Sequence, residues 1–140
     1  MTTPTQEEPQ KSYSASEKLS LINEASWEVG DLRWKLKDAQ RRIDDAYQDV
    51  PGKLFVGNCA RRLGKTYWAT TKSIEKALQV PKARIKYASA FLRDLEEFVI
   101  PSFRAVLEDC PKKLRPRWVE SKKKWIFKNG SEIRLIGLDK

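Results

Sequence analysis

The chain has 140 residues, 28 Lys and Arg against 19 Asp and Glu, a formal net charge of +9 and 40% hydrophobic residues. That length allows one domain with a real core and no more, no stretch approaches the roughly 18 apolar residues of a membrane span, and the N-terminal stretch lacks a basic-then-apolar signal pattern. Two cysteines, Cys59 and Cys110, make no disulfide framework and point to a reducing cytosol. Histidine is absent from the sequence, which excludes His-based zinc sites and Ser-His or Cys-His catalysis. The basic balance points to a polyanionic partner, nucleic acid first.

Residues 1–16 are polar, rich in Thr, Pro, Gln, Glu and Ser, and read as a disordered arm. Residues 17–50 read as a helical N-terminal segment. Ser16 with Lys18, Leu19, Leu21 and Ile22 opens one helix, which Gly30 stops. Leu32, Leu36, Ala39, Ile43 and Ala46 recur at helical spacing, so 31–48 reads as an amphipathic helix with Asp31 as its N-cap. Pro51-Gly52 breaks the chain, and residues 51–140 read as a partial α/β domain. Leu54-Phe55-Val56 marks a buried strand over 53–58, and Tyr67 to Gln79, free of Gly and Pro, marks a helix over 65–79. Ala83 to Ser89 alternates as a second strand. Phe91 to Glu108 is helical with a break at Ile100-Pro101, where proline also suits the first turn of a new helix. Cys110 to Pro116 is a basic loop.

Residues 118–137 read as antiparallel strands. Lys128-Asn129-Gly130-Ser131 predicts a two-residue hairpin turn, because Asn-Gly accepts positive φ angles. Trp125 and Phe127 fall on one face before that turn, and Ile133 and Leu135 on one face after it. From Lys112 to Lys128 eight Lys and Arg residues stand against one acid, Glu120. With Trp118, Trp125 and Phe127 interleaved, this run reads as a nucleic-acid surface or as a strand core with solvated charged edges; the alternation of the aromatics favours core.

Leu63-Gly64-Lys65-Thr66 lies between the first strand and the 65–79 helix, and strand, loop, Gly-Lys-Thr, helix is the order of a phosphate-binding loop. Backbone N–H groups at the helix N-terminus face an anion there. Lys65 would reach the β- and γ-phosphates, and the Thr66 hydroxyl would bind Mg²⁺. The first glycine of G-x-x-x-x-G-K-[ST] is missing: Cys59 takes its place, and Gly57 comes two residues too early. A strand–helix–strand unit over 53–89 implies parallel pairing with a right-handed crossover, and nucleotide at the carboxyl end of the first strand. No apolar strand ending in Asp-Glu follows the loop. The nearest match, Leu135-Ile136-Gly137-Leu138-Asp139, follows the Asn-Gly hairpin too closely to be an inner parallel strand, so the sequence reads as the front of a longer protein.

Four stretches together resemble the N-terminal ATPase part of the large terminase subunit, the DNA-packaging motor of tailed phages. Leu32 to Ile43 looks like its upstream adenine-recognition segment, with Gln40 as the glutamine. Ala60-Arg61-Arg62-Leu63-Gly64-Lys65-Thr66 looks like its deviant Walker A, which lacks the first glycine and carries an arginine four residues before the lysine. Tyr87 to Ala90 followed by Ile100 to Phe103 looks like its next strand and helices. Asn129 to Lys140 looks like the hairpin ahead of its Walker B. The resemblance covers about residues 30–140.

It implies an α/β fold: a partial P-loop NTPase core of the RecA/ASCE kind with parallel strands, N-terminal helices and a C-terminal antiparallel hairpin. It implies ATP and Mg²⁺ as ligands. Gln40 would hydrogen-bond adenine, although spacing alone makes it an exposed helix residue. Arg61 would sense the γ-phosphate beside Arg62, and Leu63, Gly64, Lys65, Thr66 and Tyr67 would hold the phosphates. Arg61 and Lys65 would be the catalytic pair, Thr66 the metal ligand, and Cys59 a small buried residue. The Walker B acid, catalytic Glu, coupling motif and nuclease of the family are not found, so nucleotide binding by these residues alone is expected to be weak or absent, and hydrolysis is expected only in the longer protein. Double-stranded DNA, the portal protein and the small terminase subunit are the implied partners, in a homo-oligomeric ring in the host cytoplasm. A helicase-like P-loop ATPase and a non-enzymatic basic DNA-binding module remain as alternatives.

Overall fold

Ser14 opens the first helix. Its Oγ accepts the Glu17 N–H at 3.2 Å and the Glu17 carboxylate accepts the Ser14 N–H at 2.8 Å, a capping box that starts α1 at Ala15–Val29, one residue before the expected Ser16. The structure is a computed structural model and describes residues 12–50, 54–58 and 64–139. Residues 1–11 of the expected arm lie outside the described residues, and its last three, Ser14 to Ser16, are the cap and first turn of α1, ordered by the capping box. Gly30 ends α1 as expected, in the left-handed region at φ 75°.

The single helix expected over 31–48 is two elements, a 3₁₀ turn at Arg33–Lys35 and α2 at Asp38–Gln48. Asp31 does not cap a helix. Its Oδ1 accepts the Arg33 N–H at 3.1 Å, a local side-chain bond that competes with helix formation. The cap falls instead at Lys37, whose N–H donates to Gln40 Oε1 at 2.9 Å. This bend keeps both Leu32 and Leu36 buried.

α3 spans Lys65–Gln79 and β1 spans Arg84–Ser89, as the pattern predicts. No gap opens at Ile100-Pro101; the alternative holds, with Pro101 in the first turn of a new helix. A short turn, α4 (Leu92–Asp94), passes through a π-turn at Leu95–Val99 into α5 at Ile100–Leu107. The Ile100 N–H reaches back to the Leu95 carbonyl, so the ladder absorbs an extra residue just ahead of proline, which has no N–H to give.

β2 (Arg117–Val119), β3 (Lys124–Ile126) and β4 (Glu132–Gly137) complete a mixed four-stranded sheet in the order β1-β4-β3-β2, with β1 parallel to β4 and the other pairs antiparallel. The architecture is thus α/β. One face of the sheet packs on α3 and α5 around Ile74, Phe103, Val106, Trp125, Ile133 and Leu135. Trp125, Phe127, Ile133 and Leu135 are all buried, and Trp118 packs on Trp125 at a tilt with ring centroids 4.8 Å apart, so the aromatics of the basic run are core.

Three expectations about strands fail. The strand after the Asn-Gly hairpin, expected to lie too close to it to be an inner parallel strand, sits as β4 between β1 and β3 and pairs parallel with β1, because the hairpin occupies only one of its edges and leaves the other to β1. Residues 54–58 form no strand: Leu54 and Val56 are 78% and 80% exposed, and Phe55 packs on Tyr47 and Trp68 instead of joining a ladder. An extended segment without a hydrogen-bonded neighbour leaves its amides to water. The parallel partner of β1 is β4, not an upstream strand, so the expected strand–helix–strand unit is not what builds the sheet. The hairpin also differs. The Phe127 carbonyl accepts the Gly130 N–H at 3.1 Å, the Phe127 N–H donates to the Ser131 carbonyl at 2.8 Å, and in that turn only Gly130 has positive φ. This is a three-residue loop ending in a glycine bulge. Asn129 keeps negative φ and donates its amide to the Ala77 carbonyl at 2.8 Å, which ties the loop to α3.

A β-carbon on Gly30 would lie 2.8 Å from Gln79 Cγ, at a backbone φ of +75°. Gly30→Ala should therefore lower stability by about 1–2 kcal/mol. Urea unfolding measures this; an unchanged midpoint would show that the turn relaxes freely.

Candidate phosphate-binding site

Gly64 is the N-cap of the 15-residue helix α3 and sits in the left-handed region at φ 77°, ψ 28°. The first N–H groups of such a helix have no partner within it, and the positive end of its dipole lies there. Two donors meet at the Gly64 carbonyl, the Trp68 N–H at 3.0 Å and Gln40 Nε2 at 3.2 Å. A β-carbon on Gly64 would lie 2.1 Å from Gln40 Nε2, so backbone angle and close approach both call for glycine.

Gln40 is buried at 6% exposure, which corrects the exposed position that spacing alone suggests. Its side chain gives one N–H to Gly64 and accepts the Lys37 N–H, leaving one N–H and one lone pair of the amide. Lys65 is exposed and Thr66 half-buried. Both line a cleft of about 330 Å³ whose other walls include Ile43, Phe55, Trp68 and Tyr87. Tyr67 packs against the core, and burial, aided by the charge of Asp109, raises its phenol above the ordinary range. Tyr67 therefore offers the site its backbone N–H rather than its ring.

Arg61, Arg62, Leu63 and Cys59 lie outside the described residues. Asp139 accepts the Leu92 N–H on Oδ1 at 2.9 Å and so holds the start of α4. Among the described residues no group of three or more His, Cys, Asp and Glu is placed to hold a metal ion. A magnesium ion here would rely on the Thr66 hydroxyl together with oxygens of its nucleotide.

Asp44, one turn after Gln40 on α2, is the residue that sequence reasoning missed. It has 0% exposure and gathers Arg33 Nε at 2.8 Å, Lys72 Nζ at 2.6 Å and Trp68 Nε1 at 3.2 Å. Lys72 also bonds Glu75 Oε1 at 2.7 Å, and Glu75 Oε2 accepts the Leu32 N–H at 3.2 Å. Burial pulls the Lys72 pKa down, but its bonds to Asp44 and Glu75 outweigh that and raise it above 10.5. The signal was present as an acid beside Ile43, on the buried stripe continued from Leu36 through Gln40. Over this network Tyr47, Phe55 and Trp68 meet largely edge to face, with centroids 5.5–6.1 Å apart.

Comparison with protein-family models, with curated proteins and with solved structures gives no match. Among the described residues, no helix is long and apolar enough to cross a membrane.

Asp44→Ala leaves the Lys72 ammonium, 15% exposed, without its main partner. It should lower stability by about 3 kcal/mol in urea unfolding, and a loss below about 1 kcal/mol would mean that solvent takes over the role of Asp44. Because the Lys72 pKa is raised on folding, its contribution is complete below pH 10.5 and is lost as pH rises through the higher folded value. The stability gap between the wild type and Lys72→Met should therefore narrow in strongly alkaline urea titrations, and a gap that widens there would contradict the pairing.

Proposed function

We propose that this chain binds ATP with Mg²⁺ at the N-terminus of α3 and is the nucleotide-binding part of a DNA-packaging ATPase of the terminase large-subunit kind. The observation that carries this reading is the bond from Gln40 to the Gly64 carbonyl, which brings two sequence-predicted site residues, 24 positions apart, to the head of the helix that begins Lys65-Thr66. A chance Gly-Lys-Thr would not be expected to share its cap with the predicted adenine-reading glutamine.

In this reading the N–H groups of Lys65, Thr66 and Tyr67 receive phosphate oxygens, the Lys65 ammonium sits at the β- and γ-phosphates, and the Thr66 hydroxyl is a Mg²⁺ ligand. The free N–H and lone pair of Gln40 match an adenine edge. Arg61 and Arg62 take the γ-phosphate end by resemblance. ATP supplies the free energy for moving double-stranded DNA, and the portal and small subunit are partners in a ring on the same ground. Activation of water would need a carboxylate beside Thr66. Among the described residues, Asp44 and Asp139 are both held by other partners.

Binding of a fluorescent ATP analogue with Mg²⁺ tests this directly. Lys65→Ala should weaken it roughly tenfold or more, as loss of a charged hydrogen-bond donor implies, with the circular dichroism spectrum unchanged. Equal affinity in wild type and variant would sink the reading.

A further inference from the structure

The period of two along the strands gives the sheet two unlike faces. Tyr87, Trp118, Trp125, Ile133 and Leu135 point to the helices. The opposite face carries Arg84 and Lys86 on β1, Arg134 on β4, Lys124 on β3 and Arg117 on β2, against the single acid Glu132. Arg84, Lys86, Arg117 and Arg134 are exposed. The registers Lys86↔Arg134 and Lys124↔Arg134 place three cations side by side in one row across three strands. Like charges directly opposite on a sheet are destabilising, and strands about 4.8 Å apart spread this row over about 10 Å. Glu132 relieves part of it by pairing with Lys124 at 3.2 Å and Arg84 at 3.1 Å. Among the described residues no acid pairs with Lys86, Arg117 or Arg134.

The geometry points to this open sheet face as a docking surface for the phosphodiester backbone of duplex DNA, centred on Lys86 and Arg134. Unneutralised cations such as Lys86, Arg117 and Arg134 are tolerable on one face when a polyanion completes them, and releasing counterions from DNA drives such binding. Among the described residues the face holds no aromatic side chain, since Tyr87, Trp118 and Trp125 all lie on the other side. It therefore lacks the stacking platform that single strands use, and what it offers is charge for a duplex exterior. The helical side carries acids among its cations: Glu24 and Glu28 of α1 hold Lys113, and Asp44 and Asp45 of α2 hold Arg33. This inference is independent of nucleotide binding at α3.

The test is fluorescence anisotropy of a labelled mixed-sequence DNA duplex across a salt series. The full chain is compared with Lys86→Glu/Arg134→Glu, with the milder Lys86→Gln/Arg134→Gln, and with Lys18→Glu/Arg41→Glu as a control of equal charge change. Losing two phosphate contacts should weaken duplex binding about tenfold or more and reduce the log–log salt slope by about 1.8. The Gln pair should move in the same direction, guarding against misfolding of the Glu pair, and the control should shift affinity by less than about threefold. Equal weakening by the control pair, no duplex binding by the wild type, or competition by polyglutamate as effective as by duplex at matched charge would each overturn the proposal.

Discussion

A buried carboxylate governs the relation between the N-terminal helices and the α/β body. Asp44 takes charged donors from the Arg33–Lys35 turn and from α3, and an indole N–H from α3 as well, so three segments are referred to one side chain. Desolvating a carboxylate is expensive, and an apolar contact of equal volume would be as stable. Oil-like packing, however, would let α2 rotate or slip along α3. Two ion pairs and an indole bond fix the angular setting of α2, and that setting aims Gln40, one turn earlier, at the Gly64 carbonyl. Glu75 extends the same logic by holding the Leu32 amide where α1 has ended.

Much of the fold was legible because period and punctuation are local. The extent of α3, the alternation of β1, the glycine stop at Gly30 and the four inward residues Trp125, Phe127, Ile133 and Leu135 follow from side-chain direction and need no knowledge of neighbours. Asp31 apart, the misses are places where a distant partner decides. Leu54-Phe55-Val56 has strand composition, but a strand exists only with a ladder, and Phe55 finds aromatic rings instead. Asn129 favours a tight turn in isolation, yet its amide is drawn to the end of α3. Asp31 looks like a cap, but its nearest free donor is two residues away.

The candidate site was legible in part for the same reason. Gly64, Lys65 and Thr66 announce themselves by adjacency, and the helix that follows them is where the pattern puts it. Gln40 was named through resemblance, and its burial could not be read from an amphipathic stripe. Asp44 carried no motif. Only the α2–α3 packing reveals that an acid at the edge of an apolar stripe faces a lysine and a tryptophan from another helix.

The parallel pairing of β1 with β4 has a kinetic consequence. The Arg84–Glu132 contact spans 48 residues, whereas the Phe127–Ser131 loop joins its strands within a few. Hairpins close in microseconds, and long loops of high sequence separation close late. The β3–β4 hairpin is therefore the natural first structured unit of the sheet. It presents a bare β4 edge to solvent until the α3–β1 region has collapsed onto it, and in that interval Arg134 on that edge, with Lys124 beside it, repels a second copy of the same edge.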